Sequence, residues 1–231
     1  MTDYARHTLI DVTDAGRERI LRELLPNPET RATLAQLEET LLPSQNGTRI
    51  PGIVRRDPEA LAQRFVPIGF SSCTRYNGDR LRLAAAVRPD EILKVTTPFE
   101  IPPSTTPRTA ALAAYQALYN EAQQQHVRLG LWGSTAMELY TGLPYSKEDS
   151  DLDLLISLAP LSILNDMLEQ AKTTEERFSL RIDFELSLPN GYGIHLKELL
   201  LTENKGLVGK GMNDVAIIKR EEILALLNSQ K

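Results

Sequence analysis

Cysteine is almost missing from this chain: Cys73 is the only one in 231 residues. It has no second thiol to bridge with, and it cannot build a thiolate zinc site. The three histidines, His7, His126 and His195, are scattered along the sequence. A nitrogen or sulfur cage is therefore not expected, and any metal should be a hard one held by oxygens. No apolar run approaches the roughly 20 residues of a membrane helix. No apolar block follows the opening Met-Thr-Asp-Tyr-Ala-Arg-His either, so the expectation is a soluble, cytoplasmic protein without signal or transit peptide. Aromatic residues make up only 6%, and the sequence shows neither internal repeats nor low-complexity tracts.

What the chain does have is unevenly placed charge. The formal total is −5, but residues 1–48 carry −3, residues 49–94 carry +4 and residues 95–231 carry −6. Seven of the nine cations in the middle segment lie between Arg55 and Arg88, and such a basic stretch on an acidic protein could attract phosphates or an acidic partner. Arginines covering the solvent side of short strands would look the same.

Periodicity divides the chain in two. Residues 14–25 and 28–42 repeat apolar residues at helical spacing, with Pro26 and Pro43 as stops. Short β-like runs follow at 50–54, 65–70, 81–87 and 91–96, separated by turns such as Tyr76-Asn77-Gly78-Asp79. Four prolines between 98 and 107 read as an extended linker, which gives a small α+β domain at 1–97 and a second domain at 108–231. The second half should open with a helix capped by Thr106, with Pro107 as its first residue, running to Gln125. A strand at 127–132 then runs into Gly133-Ser134 and a short helical piece at 135–140. A strand at 152–158, a helix after Pro160 and a strand at 179–188 come next. A Gly-rich basic loop at 205–211, a strand at 214–218 and a last helix close the chain. The fold class is α+β, the second domain being a mixed sheet with flanking helices.

The chemistry gathers in that second domain. In an extended chain residues two apart face the same way, so Asp151 and Asp153 set two carboxylates roughly 6–7 Å apart at Cα. Such a pair repels itself unless one acid stays protonated or a hard divalent cation, Mg²⁺ (or Mn²⁺), lies between them. The strand at 179–188 alternates almost perfectly, with Asp183 and Glu185 on its polar side, and either could supply a third acid. Gly133 allows the backbone to approach a phosphate closely. Ser134, with N–H groups at the start of a helix, and Lys210 in the basic loop are candidate phosphate contacts.

A Gly-Ser turn, an acidic-x-acidic pair entering a strand and an acid on a later strand resemble the pattern of the nucleotidyltransferase superfamily. Asp151 follows Ser134 by 17 positions, longer than in many members. Arg6-His7-Thr8-Leu9, Val54-Arg55-Arg56, Val66-Pro67-Ile68-Gly69, Thr97-Pro98, Gly130-Leu131-Trp132-Gly133-Ser134 and Asp151-Leu152-Asp153-Leu154-Leu155 together resemble the malonate decarboxylase holo-acyl-carrier-protein synthases, which are phosphoribosyl-dephospho-CoA transferases. The resemblance covers nearly the whole chain. It implies a nucleotidyltransferase-like second domain and a donor, 2'-(5-triphosphoribosyl)-3'-dephospho-CoA. It implies an acceptor as well, a serine on the acyl-carrier subunit of malonate decarboxylase, with diphosphate released. It also implies that Asp151, Asp153 and Asp183 are catalytic, and that these three with Glu185 hold the metal. Neither a membrane nor a nucleic acid is expected as partner. A nucleotidyltransferase acting on another hydroxyl, in a small molecule or RNA, is the alternative enzyme, although a −6 domain with few aromatics suits RNA poorly. A binding module on a degenerate transferase scaffold is the alternative outside enzymes.

Overall fold

Two compact units, Met1–Thr97 and Pro98–Lys231, divide the chain in a computed structural model that describes residues 4–27 and 31–229. The first holds β1 (Leu9–Val12), α1 (Asp14–Leu24), α2 (Leu34–Leu41), β2 (Gly52–Val54), α3 (Pro58–Ala62), β3 (Val66–Tyr76), β4 (Asp79–Val87) and β5 (Ile92–Thr96). Its strands pair antiparallel in the order β4-β3-β2-β1-β5. Thr13 caps α1, and Thr33 with Gln36 forms a capping box at α2. The predicted start of the second helix at Pro28 lies outside the described residues. Both β1 and α3 escape the sequence reading, being only 4 and 5 residues long. A fully buried Arg17 holds this unit together from inside, donating to the carbonyls of Val12, Leu41 and Ile50 at 2.7–3.0 Å and lying over the Phe70 ring.

Six arginines of the basic middle segment separate into two groups. Arg75 and Arg80 donate to carbonyls of Gly78, Ser72 and Cys73 and so serve the β3–β4 hairpin. Arg55, Arg56, Arg82 and Arg88 are exposed, and Arg55 pairs with Asp57 at 3.4 Å.

In the second unit the proline-rich entry is not an open tether. Residues 98–100 form a 3-10 turn with Pro98 buried, and the Tyr115 hydroxyl donates to the Ile101 carbonyl at 2.6 Å. Gly130 makes room for this, since a Cβ there would sit 3.1 Å from Pro98 and Phe99. The following helix, α4 (Ala110–Gln124), starts three residues later than Thr106 and Pro107 predict. Thr109 caps it, because Thr109 Oγ1 also meets Ser146 Oγ at 3.0 Å and Arg108 is drawn away to Glu138.

The rest comprises β6 (Leu129–Trp132), α5 (Gly133–Thr141), β7 (Leu152–Ile156), α6 (Leu161–Phe178), β8 (Ile182–Ser187), β9 (Gly193–His195), α7 (Leu196–Leu201), β10 (Gly206–Lys210), β11 (Val215–Lys219) and α8 (Arg220–Asn228). The six strands lie in the order β11-β10-β9-β8-β7-β6. Only β7 and β8, joined by the crossover helix α6, run parallel. The sheet is therefore mixed, and the fold is α+β. One of its faces carries Leu154, Phe184, Leu186, Ile194 and Leu207, all essentially buried, and α4 and α6 pack against the sheet. Where the sequence suggests a Gly-rich loop at 205–211, the chain forms strand β10. Gly209 fits there because Ile218 of β11 fills the space a Cβ would need. Among the described residues no helix is long and apolar enough to cross a membrane.

Candidate active site

The polar face of this sheet begins where β6 enters α5. Gly133 has a φ of +76°, a left-handed conformation that favours glycine, and a Cβ there would lie 2.6 Å from Asp153 Oδ2. Glycine is thus required twice, by the turn and by the carboxylate that presses on it. Ser134 sits in the first turn of α5, beyond the capping position, which Trp132 occupies. No side-chain hydrogen bond caps this turn, and a helix start favours negative charge.

The parallel register pairs Asp153 with Asp183 directly across β7 and β8, while Trp132 stands opposite Asp153 on β6. Burial, then the charges of Asp183, Asp151 and Glu185, push the Asp153 carboxyl up to about 6, with Arg181 opposing. Asp151 lies just ahead of β7 and is exposed. Asp183 is half-buried and faces three basic side chains: His195 Nε2 at 3.3 Å, Arg181 at 3.8 Å and Lys197 Nζ at 4.0 Å.

Glu185 stands one pleat further on, opposite Leu155 and His195, and its carboxylate lies across Gly193, where any Cβ would overlap it. Register therefore brings Asp183, rather than Glu185, beside Asp153. Lys210 lies on β10 opposite Gly193 and Val215, three strands away from β7. Among the described residues no group of three His, Cys, Asp or Glu side chains is gathered closely enough to hold a metal ion as it stands. The four acids expected to do so comprise one adjacent pair, Asp153 and Asp183, with Asp151 in front and Glu185 turned onto Gly193.

Three supports of the site are not apparent from the sequence. His195 ends a strand of three residues that only pairing with its neighbours defines, and Lys197 follows it in the first turn of α7. Lys197 Nζ binds the Ile182 carbonyl at 2.8 Å and Glu175 at 2.9 Å, and Glu175 in turn accepts from the Ile182 N–H, which anchors the start of β8 beside Asp183. Glu138 takes hydrogen bonds from Arg108 and from the Ser146 N–H and hydroxyl, fixing the loop that leads to Asp151. Burial works against the Glu138 charge, but these donors more than offset it and hold the carboxyl below its ordinary range.

Two family models cover this architecture. The phosphoribosyl-dephospho-CoA transferase MdcG N-terminal domain matches residues 5–98, and the MdcG C-terminal domain matches residues 101–221. Among curated proteins, the phosphoribosyl-dephospho-CoA transferase of Xanthomonas euvesicatoria pv. vesicatoria (strain 85-10) is 29% identical over 173 residues, 74% of this chain and 79% of the relative. That of Xanthomonas axonopodis pv. citri (strain 306) is 28% identical over the same extent. No solved structure matches the chain. With both halves matched and an acidic pair at the mouth of the Gly133 turn, the chain belongs to the phosphoribosyl-dephospho-CoA transferase MdcG family and is a transferase enzyme.

Proposed function

We propose that this chain transfers the phosphoribosyl-dephospho-CoA group of 2'-(5-triphosphoribosyl)-3'-dephospho-CoA to a serine of the malonate decarboxylase acyl-carrier subunit. The serine Oγ attacks the α-phosphorus, the bond from that phosphorus to the bridging oxygen breaks, and diphosphate leaves. The supporting observation is the Asp153–Asp183 pair, set side by side against the Gly133 turn. At Asp153 burial and the neighbouring acids outweigh Arg181 and push the carboxyl up to about 6, so this side of the pair is short of positive charge. An all-oxygen set of this kind suits Mg²⁺ or Mn²⁺, and Asp151 and Asp153 are the residues that would hold it. When bound, the cation neutralises the triphosphate and the departing diphosphate.

The remaining work falls to the chain's own groups. Asp183 borders the cation site and accepts the proton from the attacking hydroxyl. His195, Arg181 and Lys197 face Asp183 and orient it. Gly133 admits the phosphates to the first turn of α5, where backbone N–H groups and the Ser134 hydroxyl receive them. Lys210 lies toward the other end of the same sheet face and contacts an outlying phosphate of the donor.

Incubating the protein with Mg²⁺, the apo carrier subunit and the donor tests this directly by intact-mass spectrometry. The carrier is expected to gain one phosphoribosyl-dephospho-CoA unit. An unchanged carrier, with a nucleotidyl group moved from ATP or CTP to another hydroxyl instead, overturns the assignment in favour of a different acceptor.

A further inference from the structure

The polar face that carries Asp153 and Asp183 does not end at β8. Residues opposite one another in a sheet share a face, and successive register pairs carry that face outward: Asp153 to Asp183, Glu185 to His195, Ser187 to Gly193, Gly193 to Lys210, and Lys210 to Val215. Val208 stands opposite Ile217 on this face, and Gly206 opposite Lys219. At the outermost strands polar residues give way to apolar ones, with Val208 40%, Val215 50% and Ile217 70% exposed. The absence of a side chain at Gly206 lets Ile217 lie flat over it, since a Cβ there would approach Ile217 Cγ2 to 2.6 Å. Three exposed β-branched side chains on one face of the last two strands of a sheet are an association hazard unless something covers them.

We infer that this outer face of β10 and β11, Val208, Val215 and Ile217 with Lys219 beside them, is the docking surface for the carrier protein whose hydroxyl the enzyme modifies. The inference rests on the function proposed above and adds where the acceptor binds. Charge selects the partner. Between Lys205 and Arg220 lie four cations and one acid, a net +3 on a half-chain that otherwise carries an excess of acids. Lys219 pairs with Glu222 at 3.6 Å, both side chains being well exposed, and such a contact yields readily to a partner carboxylate. The surface therefore suits a protein that presents apolar side chains rimmed by acids. A second copy of this chain would bring the same lysines against these, so a symmetric self-contact is opposed. A small donor favours a concave site, whereas this is the flat edge of a sheet.

Distance also fits. Three strand spacings, roughly 14 Å in all, separate β11 from β8 and Asp183. A protein interface of ordinary size, about 800 Å² per partner, spans roughly twice that. One carrier domain can thus rest on Val208 and Ile217 while a loop of it presents its serine to Asp183.

The test uses the full chain, the apo acyl-carrier subunit of malonate decarboxylase as probe, and variants Ile217→Asp and Lys219→Glu, both at exposed positions. Carrier binding without donor is followed by biolayer interferometry, and turnover by carrier mass. Each variant should raise the carrier Kd and carrier KM at least about 10-fold, with the donor KM and the kcat at saturating carrier unchanged. An unchanged carrier Kd in both variants overturns the inference. So does a wild-type protein that binds no carrier, a loss of donor affinity in place of carrier affinity, or a dimer seen by sedimentation that Ile217→Asp dissociates while carrier binding persists. Wild-type protein that binds the carrier through this face but never adds mass to it would instead sink the proposed reaction and leave the docking surface standing.

Discussion

Asp153 and Asp183 occupy directly opposed positions on the parallel strands β7 and β8, and neither side chain is fully solvated. Two acids so placed cost the fold stability that function then uses. A carboxyl raised from 3.8 to about 6 binds its proton more tightly in the folded chain than in the unfolded one. The resulting penalty is absent below about pH 4, grows as the pH passes from 4 to 6, and is complete above it.

Asp153→Asn should therefore stabilise the protein at pH 8 by about 1–3 kcal/mol, a rise of several degrees in the melting temperature, and the gain should vanish near pH 4. Transfer activity should fall by at least about 10³, if one ligand to the cation supplies about 4 kcal/mol of transition-state stabilisation. Thermal scans at the two pH values check the first statement, and a variant no more stable than wild type at pH 8 contradicts it.

Added Mg²⁺ should raise the melting temperature of the wild-type protein at pH 8 and leave that of Asp153→Asn nearly unmoved. Binding to the folded state alone contributes RT ln(1 + [Mg²⁺]/Kd), about 2.7 kcal/mol at a hundredfold excess over Kd. EDTA should abolish both this shift and the turnover. Equal shifts in the two proteins would remove Asp153 from the ligand set.

Gly133→Ala tests the turn. The new methyl group meets Asp153 Oδ2 at 2.6 Å on a backbone already at φ +76°, so both the carboxylate and the start of α5 must move. A destabilisation of about 1–3 kcal/mol is expected from the positive φ and the clash together. Activity should drop by about 10² or more, because a displacement near 1 Å at the reacting groups is costly. Gly142→Ala, at φ +72° with nothing within 4 Å, carries the backbone strain without the clash and should keep most of its activity.

How far the sequence foretells these features depends on what fixes them. The alternation of Ile182, Phe184 and Leu186 with Asp183 and Glu185 makes β8 and its polar side legible, since a half-buried strand must repeat every second residue. Asp153 and the Gly-Ser turn are legible as motifs. The register that chooses Asp183 over Glu185 is not, because the length and packing of α6 set it, with Leu164, Met167, Leu168 and Ala171 buried along the helix. Likewise β9 is defined by its neighbour and hides His195, while the glycines of β10 imitate a loop although they serve close packing against Ile218 and Ile217. Thr106-Pro107 is a sound helix start locally, and it is overridden by hydrogen bonds from Arg108 and Thr109 to residues more than 25 positions away.

That override gives a prediction for Glu138, whose carboxylate is nearly buried and accepts from Arg108 and Ser146 at 2.7–2.8 Å. Glu138→Ala leaves the Ser146 N–H and hydroxyl without their acceptor and should cost about 2–4 kcal/mol. Arg108→Ala, which removes a half-exposed partner, should cost about 1 kcal/mol. Urea unfolding followed by fluorescence of the sole tryptophan, Trp132, in the second unit gives both values, and a smaller loss for Glu138→Ala than for Arg108→Ala would contradict the assigned order.

Arg17 makes the corresponding case in the first unit. Its guanidinium is wholly buried and donates to three carbonyls that end β1, close α2 and precede β2, so it ties α2 to the paired strands β1 and β2 just beyond the end of their pairing. A methionine fills a similar volume but offers no donor. Arg17→Met should leave those buried carbonyls short of partners and lower the stability of residues 4–97 by about 3–5 kcal/mol, while Arg17→Lys, with one cationic donor group in place of a planar fork, should recover only part of the loss. Hydrogen exchange separates the units: faster exchange in β1 and β2 with protection retained in β7 and β8 is the expected pattern, and uniform loss across both units would contradict a purely local role.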